Sequence, residues 1–141
     1  MKVQVNLKKD MVFEGTDSRG LGITMDASPE ASGQDAGPSP MKVLLMALGG
    51  CTSMDTMFIL RKVRDTISRY SLEINGRTAP RHPKVFTEIH LVYSFWGNNI
   101  PSDEVKNAVK LSIERYCPVN AMLSKSADIS YEIRINDENV L

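Results

Sequence analysis

A chain of 141 residues with 17 basic and 17 acidic side chains is long enough for one domain with a real core, and carries no net charge to draw in a polyanion. Hydrophobic residues make up 42% and charged residues 24%, which excludes a disordered chain and argues against a dedicated nucleic-acid or anionic-membrane binder. The first ten residues alternate instead of forming a signal-peptide core, and the longest apolar run, Val43 to Cys51, is far short of the ~20 residues of a membrane span, so a cytoplasmic soluble protein is expected.

In chain order, KVQVNLK places Val3, Val5 and Leu7 on one face of a strand. MVFEG from Met11 and LGITM from Leu21 are two further short strands, separated by the turn residues TDSRG, so residues 1–26 read as a small meander. Residues 27–39 are rich in Gly, Pro, Ser and Ala without periodicity, and form a long loop of the kind that serves as a lid or stays disordered. Ser39-Pro40 then opens a helix, with Ser as cap and Pro in the first turn, running over residues 40–64. Most of that helix is apolar around its circumference, which requires burial on all sides. One domain has little left to cover it, so a dimer is expected. Gly49-Gly50 lowers helix propensity by about 2 kcal/mol against Ala-Ala, and fits a close crossing of two helices.

Residues 65–141 complete the domain. SLEINGRTA from Ser71 and KVFTEIHLVYSFW from Lys84 are strands. PSDEVKNAVKLSIERYC is a second helix capped by Ser102, with Val105, Ala108, Val109, Ser112, Ile113 and Tyr116 facing inward and Pro118 ending it. VNAMLSKSA holds one more helical turn, and DISYEIRI is a closing strand. The order βββ-α-ββ-α-β defines a single α+β domain over residues 1–141, with a mainly antiparallel sheet and one long buried central helix.

Two cysteines, Cys51 and Cys117, stand 66 positions apart. Neither a disulfide framework nor a zinc spacing is present, so no metal is expected. His82 and His90 have no ligand-spaced partners and read as structural; the eight methionines read as adaptable core filler. A thiol attacks only as thiolate, and apolar surroundings disfavour that form. From the residues alone, Cys51 is either a buried core cysteine or a reactive one, and a cation decides between them. Arg19 is the only arginine upstream of Cys51. At ~4 Å and an effective dielectric of ~20, a guanidinium contributes about 4 kcal/mol to a thiolate.

The segments SRGLGITMD, AGPSPMKVLLMALGGCTSMD, HPKVFTEIHLVY and RYCPVNAML resemble the OsmC/Ohr superfamily (osmotically inducible protein C / organic hydroperoxide resistance), and within it the OsmC-like branch. The resemblance implies an intertwined, swapped homodimer with active sites at the subunit interface. It implies a thiol peroxidase without bound cofactor, acting on organic hydroperoxides in oxidative or redox stress. Cys51 would be the attacking thiolate, Cys117 the resolving thiol and Arg19 the activating cation. The reductant would be an external dithiol of the dihydrolipoyl type, free or on a lipoylated protein. Family members carry a glutamate ten residues before the first cysteine to hold that arginine; here the position is Met41, leaving Glu30 or Asp35 as substitutes. Two other readings stand beside the peroxidase: a dimer that binds a small hydrophobic ligand at its interface without turnover, and a purely structural partner with inert thiols.

Overall fold

The alternating N-terminus forms a three-stranded antiparallel sheet: β1 (Val3–Lys9), β2 (Val12–Asp17) and β3 (Gly22–Met25), in the order β1-β2-β3. The registers Leu7↔Phe13 and Phe13↔Met25 put the apolar positions of neighbouring strands side by side. The computed structural model describes all 141 residues, as two compact units, Met1–Met46 and Ala47–Leu141.

In the first unit, the turn between β2 and β3 is closed by Asp17. Its carboxylate accepts the backbone N–H groups of Arg19 at 2.8 Å and Leu21 at 2.9 Å, and Gly20 supplies the positive φ of +80°. The loop over residues 27–39 is ordered. Asp26 is 2% exposed and accepts backbone N–H groups from Ala27, Gln34 and Ala36 at 2.7, 2.8 and 3.1 Å. Those bonds hold its carboxyl below the usual carboxylate range. A single turn of 3-10 helix, Pro29–Ala31, lies inside the loop, and Gly37 passes so close to β3 that a Cβ there would stand 2.4 Å from the Thr24 carbonyl oxygen.

Helix α1 (Pro40–Ile59) starts as the sequence indicates: Ser39 Oγ accepts the Lys42 N–H at 3.4 Å. It ends earlier than the predicted residue 64, because the chain tightens into two 3-10 turns, Leu60–Lys62 and Arg64–Thr66, to enter a strand. Thr66 Oγ1 donates to the Val63 carbonyl and Arg64 to the Ile67 carbonyl, which fixes that exit. Strand β4 (Ile67–Thr78) therefore begins four residues before Ser71.

The second unit carries a four-stranded sheet, β4-β5-β6-β7, with β5 (Phe86–Gly97), β6 (Asp128–Ile135) and β7 (Glu138–Asn139). β4 and β5 pair antiparallel, as do β6 and β7. β5 and β6 pair parallel, with Ile89 opposite Ile129 and Tyr93 opposite Ile133. A parallel pair needs a long crossover, and α2 (Ser102–Leu111) and α3 (Pro118–Leu123) supply it. The core is built from Leu48, Leu60, Ile89, Leu91, Tyr93, Phe95, Val105, Val109 and Ile133, all 1% exposed or less.

Three expectations change at this level. Pro101, not Ser102, occupies the cap of α2, and Ser102 is the first helical residue. Tyr116 leaves the inner stripe and is half exposed. Gly49 is approached by a strand and not by a helix: a Cβ there would meet Ile74 Cδ1 at 2.7 Å, whereas nothing stands within 4 Å at Gly50.

The all-round apolar helix is not covered within one chain. Only Leu48, Thr52 and Thr56 of α1 are buried, while Met54 and Phe58 are exposed. By length and composition alone the stretch Pro40–Lys62 could cross a membrane, a test that the core helix of a soluble protein also passes. Its polar side chains are nevertheless bonded to the sheet: Thr52 Oγ1 to Tyr93 Oη at 2.7 Å and Ser53 Oγ to Tyr70 Oη at 2.8 Å.

Candidate functional site

The two cysteines meet. Cys51 is half-buried in the middle of α1, and Cys117 is buried on the residue before α3. The sulfurs of Cys51 and Cys117 and a carboxylate oxygen of Asp55 all lie within 4.8 Å of one another. Asp55 comes four residues after Cys51 on the same helix, so both side chains project from one face on successive turns.

Cys117 reaches this point through a local irregularity. After α2 the chain makes a π-helical turn, Ser112–Tyr116, closed by the Cys117 N–H donating to the Ser112 carbonyl at 2.9 Å. Such a turn inserts one residue and rotates the chain beyond it, and it occurs often at functional sites. Pro118 then forbids helical continuation at Cys117, whose ψ is 104°. Asn120 ties the turn together, with its side chain donating to the Ile113 carbonyl at 2.8 Å and its backbone N–H donating to Cys117 Sγ at 3.4 Å.

Burial pushes the Cys117 thiol up to about 11; the Asn120 N–H works against that shift, and the neighbouring Cys51 adds to it. Cys117 therefore stays a protonated thiol at neutral pH. Beneath the thiols lies a buried hydroxyl network. Thr52 Oγ1 bonds to both Tyr93 Oη and Ser112 Oγ, at 2.7 and 2.8 Å, and Ser112 Oγ also lies 3.4 Å from Asp55 Oδ2. Burial raises both tyrosines: Tyr70 to about 12, and Tyr93 further. Both are neutral hydrogen-bonding groups. Next to Asp55 a cleft of 460 Å³ is lined by Phe58, Ile59, Arg61, Leu111 and Tyr116.

Arg19 lies in the other unit, at the tip of the β2–β3 turn, with its side chain 77% exposed. Its carboxylate partner is Asp17, with Nε at 3.4 Å from Oδ2, and neither Glu30 nor Asp35 is bonded to it. An exposed pair of this kind contributes little to stability. Met41 is in the first turn of α1. His90 sits in a cross-strand polar row, with Nδ1 at 2.8 Å from Ser130 Oγ. The residues that sequence reasoning missed are Asp55 and Ser112. The four-residue spacing from Cys51 was the available signal for Asp55; none pointed to Ser112.

A half-buried thiol, a buried thiol and a carboxylate thus meet on the long helix of an α+β fold. The OsmC family, described as OsmC-like protein, matches residues 33–132, and the chain belongs to it. Protein YhfA of Escherichia coli K12 is 36% identical over 135 residues, covering 94% of this chain and 98% of that protein. The crystal structure of a protein from Aquifex aeolicus VF5 is 31% identical, with a TM-score of 0.78 and 96% of each chain covered. An organic hydroperoxide resistance protein OsmC from Legionella pneumophila shares the fold at 12% identity and a TM-score of 0.64, covering 95% of this chain and 94% of that one.

Proposed function

We propose that this OsmC-like protein reduces organic hydroperoxides through its two thiols. The observation that carries the reading is the meeting of Cys51 and Cys117 across 66 positions of chain. The half-buried Cys51 attacks a peroxide oxygen as thiolate. The O–O bond breaks, the alkoxide leaves and takes a proton, and Cys51 becomes a sulfenic acid. Cys117 then attacks the Cys51 sulfur, the S–O bond breaks, and water leaves with the thiol proton. The product is a Cys51–Cys117 disulfide, which an external dithiol of the dihydrolipoyl type returns to two thiols. The apolar cleft beside Asp55 suits the hydrocarbon part of an organic hydroperoxide. Arg19 serves as the activating cation, with Asp17 as the carboxylate that steadies it in place of the absent glutamate at Met41.

The working unit is a homodimer with the site at the subunit interface, in a soluble cytoplasmic protein. Support comes from the apolar faces left open in one chain: Val3, Val5 and Leu7 along β1, and Met54 and Phe58 on α1. The same cleft favours a second reading, in which the dimer holds a small hydrophobic ligand without turnover. Cumene hydroperoxide consumption with excess dihydrolipoamide separates the two. The peroxidase reading expects steady consumption by the natural chain and none above background for Cys51→Ser. Equal rates for the two proteins would remove it.

A further inference from the structure

Asp55 has too few partners for its position. It is a half-buried carboxylate with a single hydrogen bond, the 3.4 Å contact from Ser112 Oγ. The six ion pairs of the chain all lie elsewhere. Its remaining lone pairs are therefore free to take a ligand ion. Both thiol sulfurs lie within 4.8 Å of one of its oxygens, so three potential ligand atoms converge where a single cation could join them.

We propose that the reduced chain binds one divalent cation of the zinc type through Cys51 Sγ, Cys117 Sγ and a carboxylate oxygen of Asp55. Two sulfurs and one oxygen form a donor set for a borderline-soft, tetrahedral ion. Zn–S bonds of ~2.3 Å and Zn–O bonds of ~2.1 Å put tetrahedral donors roughly 3.5–3.8 Å apart, so the three groups close by about 1 Å through side-chain rotation. Their supports are already built. Cys51 and Asp55 share a helix face, the π turn and Pro118 fix Cys117, and the Asn120 N–H and Ser112 hydroxyl hold the outer side of the ligands. The fourth position is left for water or a small thiol to complete the shell. Binding releases the two thiol protons to solvent and forms two metal–sulfur bonds, with no change in oxidation state. An occupied site has no free sulfur for oxidation, and a disulfide leaves no donor for the metal, so the two states exclude each other.

This inference uses the same two thiols as the peroxidase reading but does not require peroxide turnover, so either can fail alone. The test is an anaerobic titration of the reduced full chain with Co2+, followed by displacement with Zn2+. The expected result is one Co2+ per chain with an intense near-ultraviolet sulfur-to-cobalt band, erased by stoichiometric Zn2+. Asp55→Asn is expected to weaken Zn2+ binding by about 10–100-fold, and Cys117→Ser to remove most of the band. Natural protein alkylated with N-ethylmaleimide after folding binds no Co2+, which separates loss of ligands from loss of fold. Absence of the band at one equivalent of Co2+, or Asp55→Asn binding as tightly as the natural chain, overturns the proposal.

Discussion

Asp26 and Asp55 are two carboxylates withdrawn from solvent, and they are treated in opposite ways. Asp26 is saturated: three backbone N–H groups from the loop point at it, and its ionised form is favoured. Asp55 has one long hydroxyl contact and two thiols within 4.8 Å. A carboxylate whose lone pairs are filled by its own backbone organises a loop. One left short of donors beside nucleophilic atoms is available for chemistry. The contrast gives the first acid a role in folding and leaves the second open beside the thiols, and substitutions can break that division.

The largest expected effect is at Cys117. Cys117→Ser should consume about one equivalent of organic hydroperoxide per chain and then stop, because the Cys51 sulfenic acid has no resolving thiol; stopped-flow peroxide consumption with sulfenic-acid trapping reads this. Asp26→Ala comes next and should act on the fold alone. It leaves the N–H groups of Ala27, Gln34 and Ala36 without their acceptor, lowering the melting temperature while peroxide consumption per folded molecule at low temperature stays unchanged. A loss of turnover without a loss of stability would break the comparison.

The acid dependence of stability comes from the same residue. The folded-state pKa of Asp26 lies below its ordinary value of 3.8. Its contribution is therefore fully present above that value and is lost as pH falls through it toward the folded-state pKa. Melting temperatures measured between pH 6 and pH 3 should fall more steeply for the natural chain than for Asp26→Asn, which has no proton to gain. Parallel curves would show that the loop bonds are not formed in solution.

The smallest effects lie in the hydroxyl network below the thiols. Ser112→Ala takes one partner from Thr52 and the only donor from Asp55, and should cost about 1–2 kcal/mol in urea unfolding. Tyr93→Phe removes one of the two partners of Thr52 and should cost roughly 1 kcal/mol. Of the two, only Ser112→Ala should also change thiol reactivity, because Tyr93 does not bond to Asp55.

Much of the frame was legible in the sequence, for local reasons. Alternation marks β1, Ser39-Pro40 marks the start of α1, and Pro118 marks the stop after Cys117. The dense apolar character of α1 also signals a helix that one chain does not cover. The rest depends on groups far apart in sequence or on departures from regular periods. The parallel pairing of β5 with β6 comes from the crossover through α2 and α3, which no local pattern encodes. The π turn at Ser112–Tyr116 breaks the 3.6-residue period, so a regular helical stripe runs one residue too far and takes in Tyr116. Glu30 and Asp35 are candidates for Arg19 only if the long loop folds back toward it. The structure gives it Asp17, two residues away in the same turn. The four-residue step from Cys51 marks Asp55 as a neighbour on one helix face, but its meeting with Cys117, 62 positions further on, is not local.

The central claim is that Cys51 and Cys117 form one redox pair. The direct measurement is to treat the fully reduced chain with one equivalent of cumene hydroperoxide and monitor its thiols and intact mass. The account predicts that both free thiols disappear, the mass falls by two hydrogens, and a peptide linking Cys51 to Cys117 appears within one chain. Retention of both thiols after that treatment would contradict it.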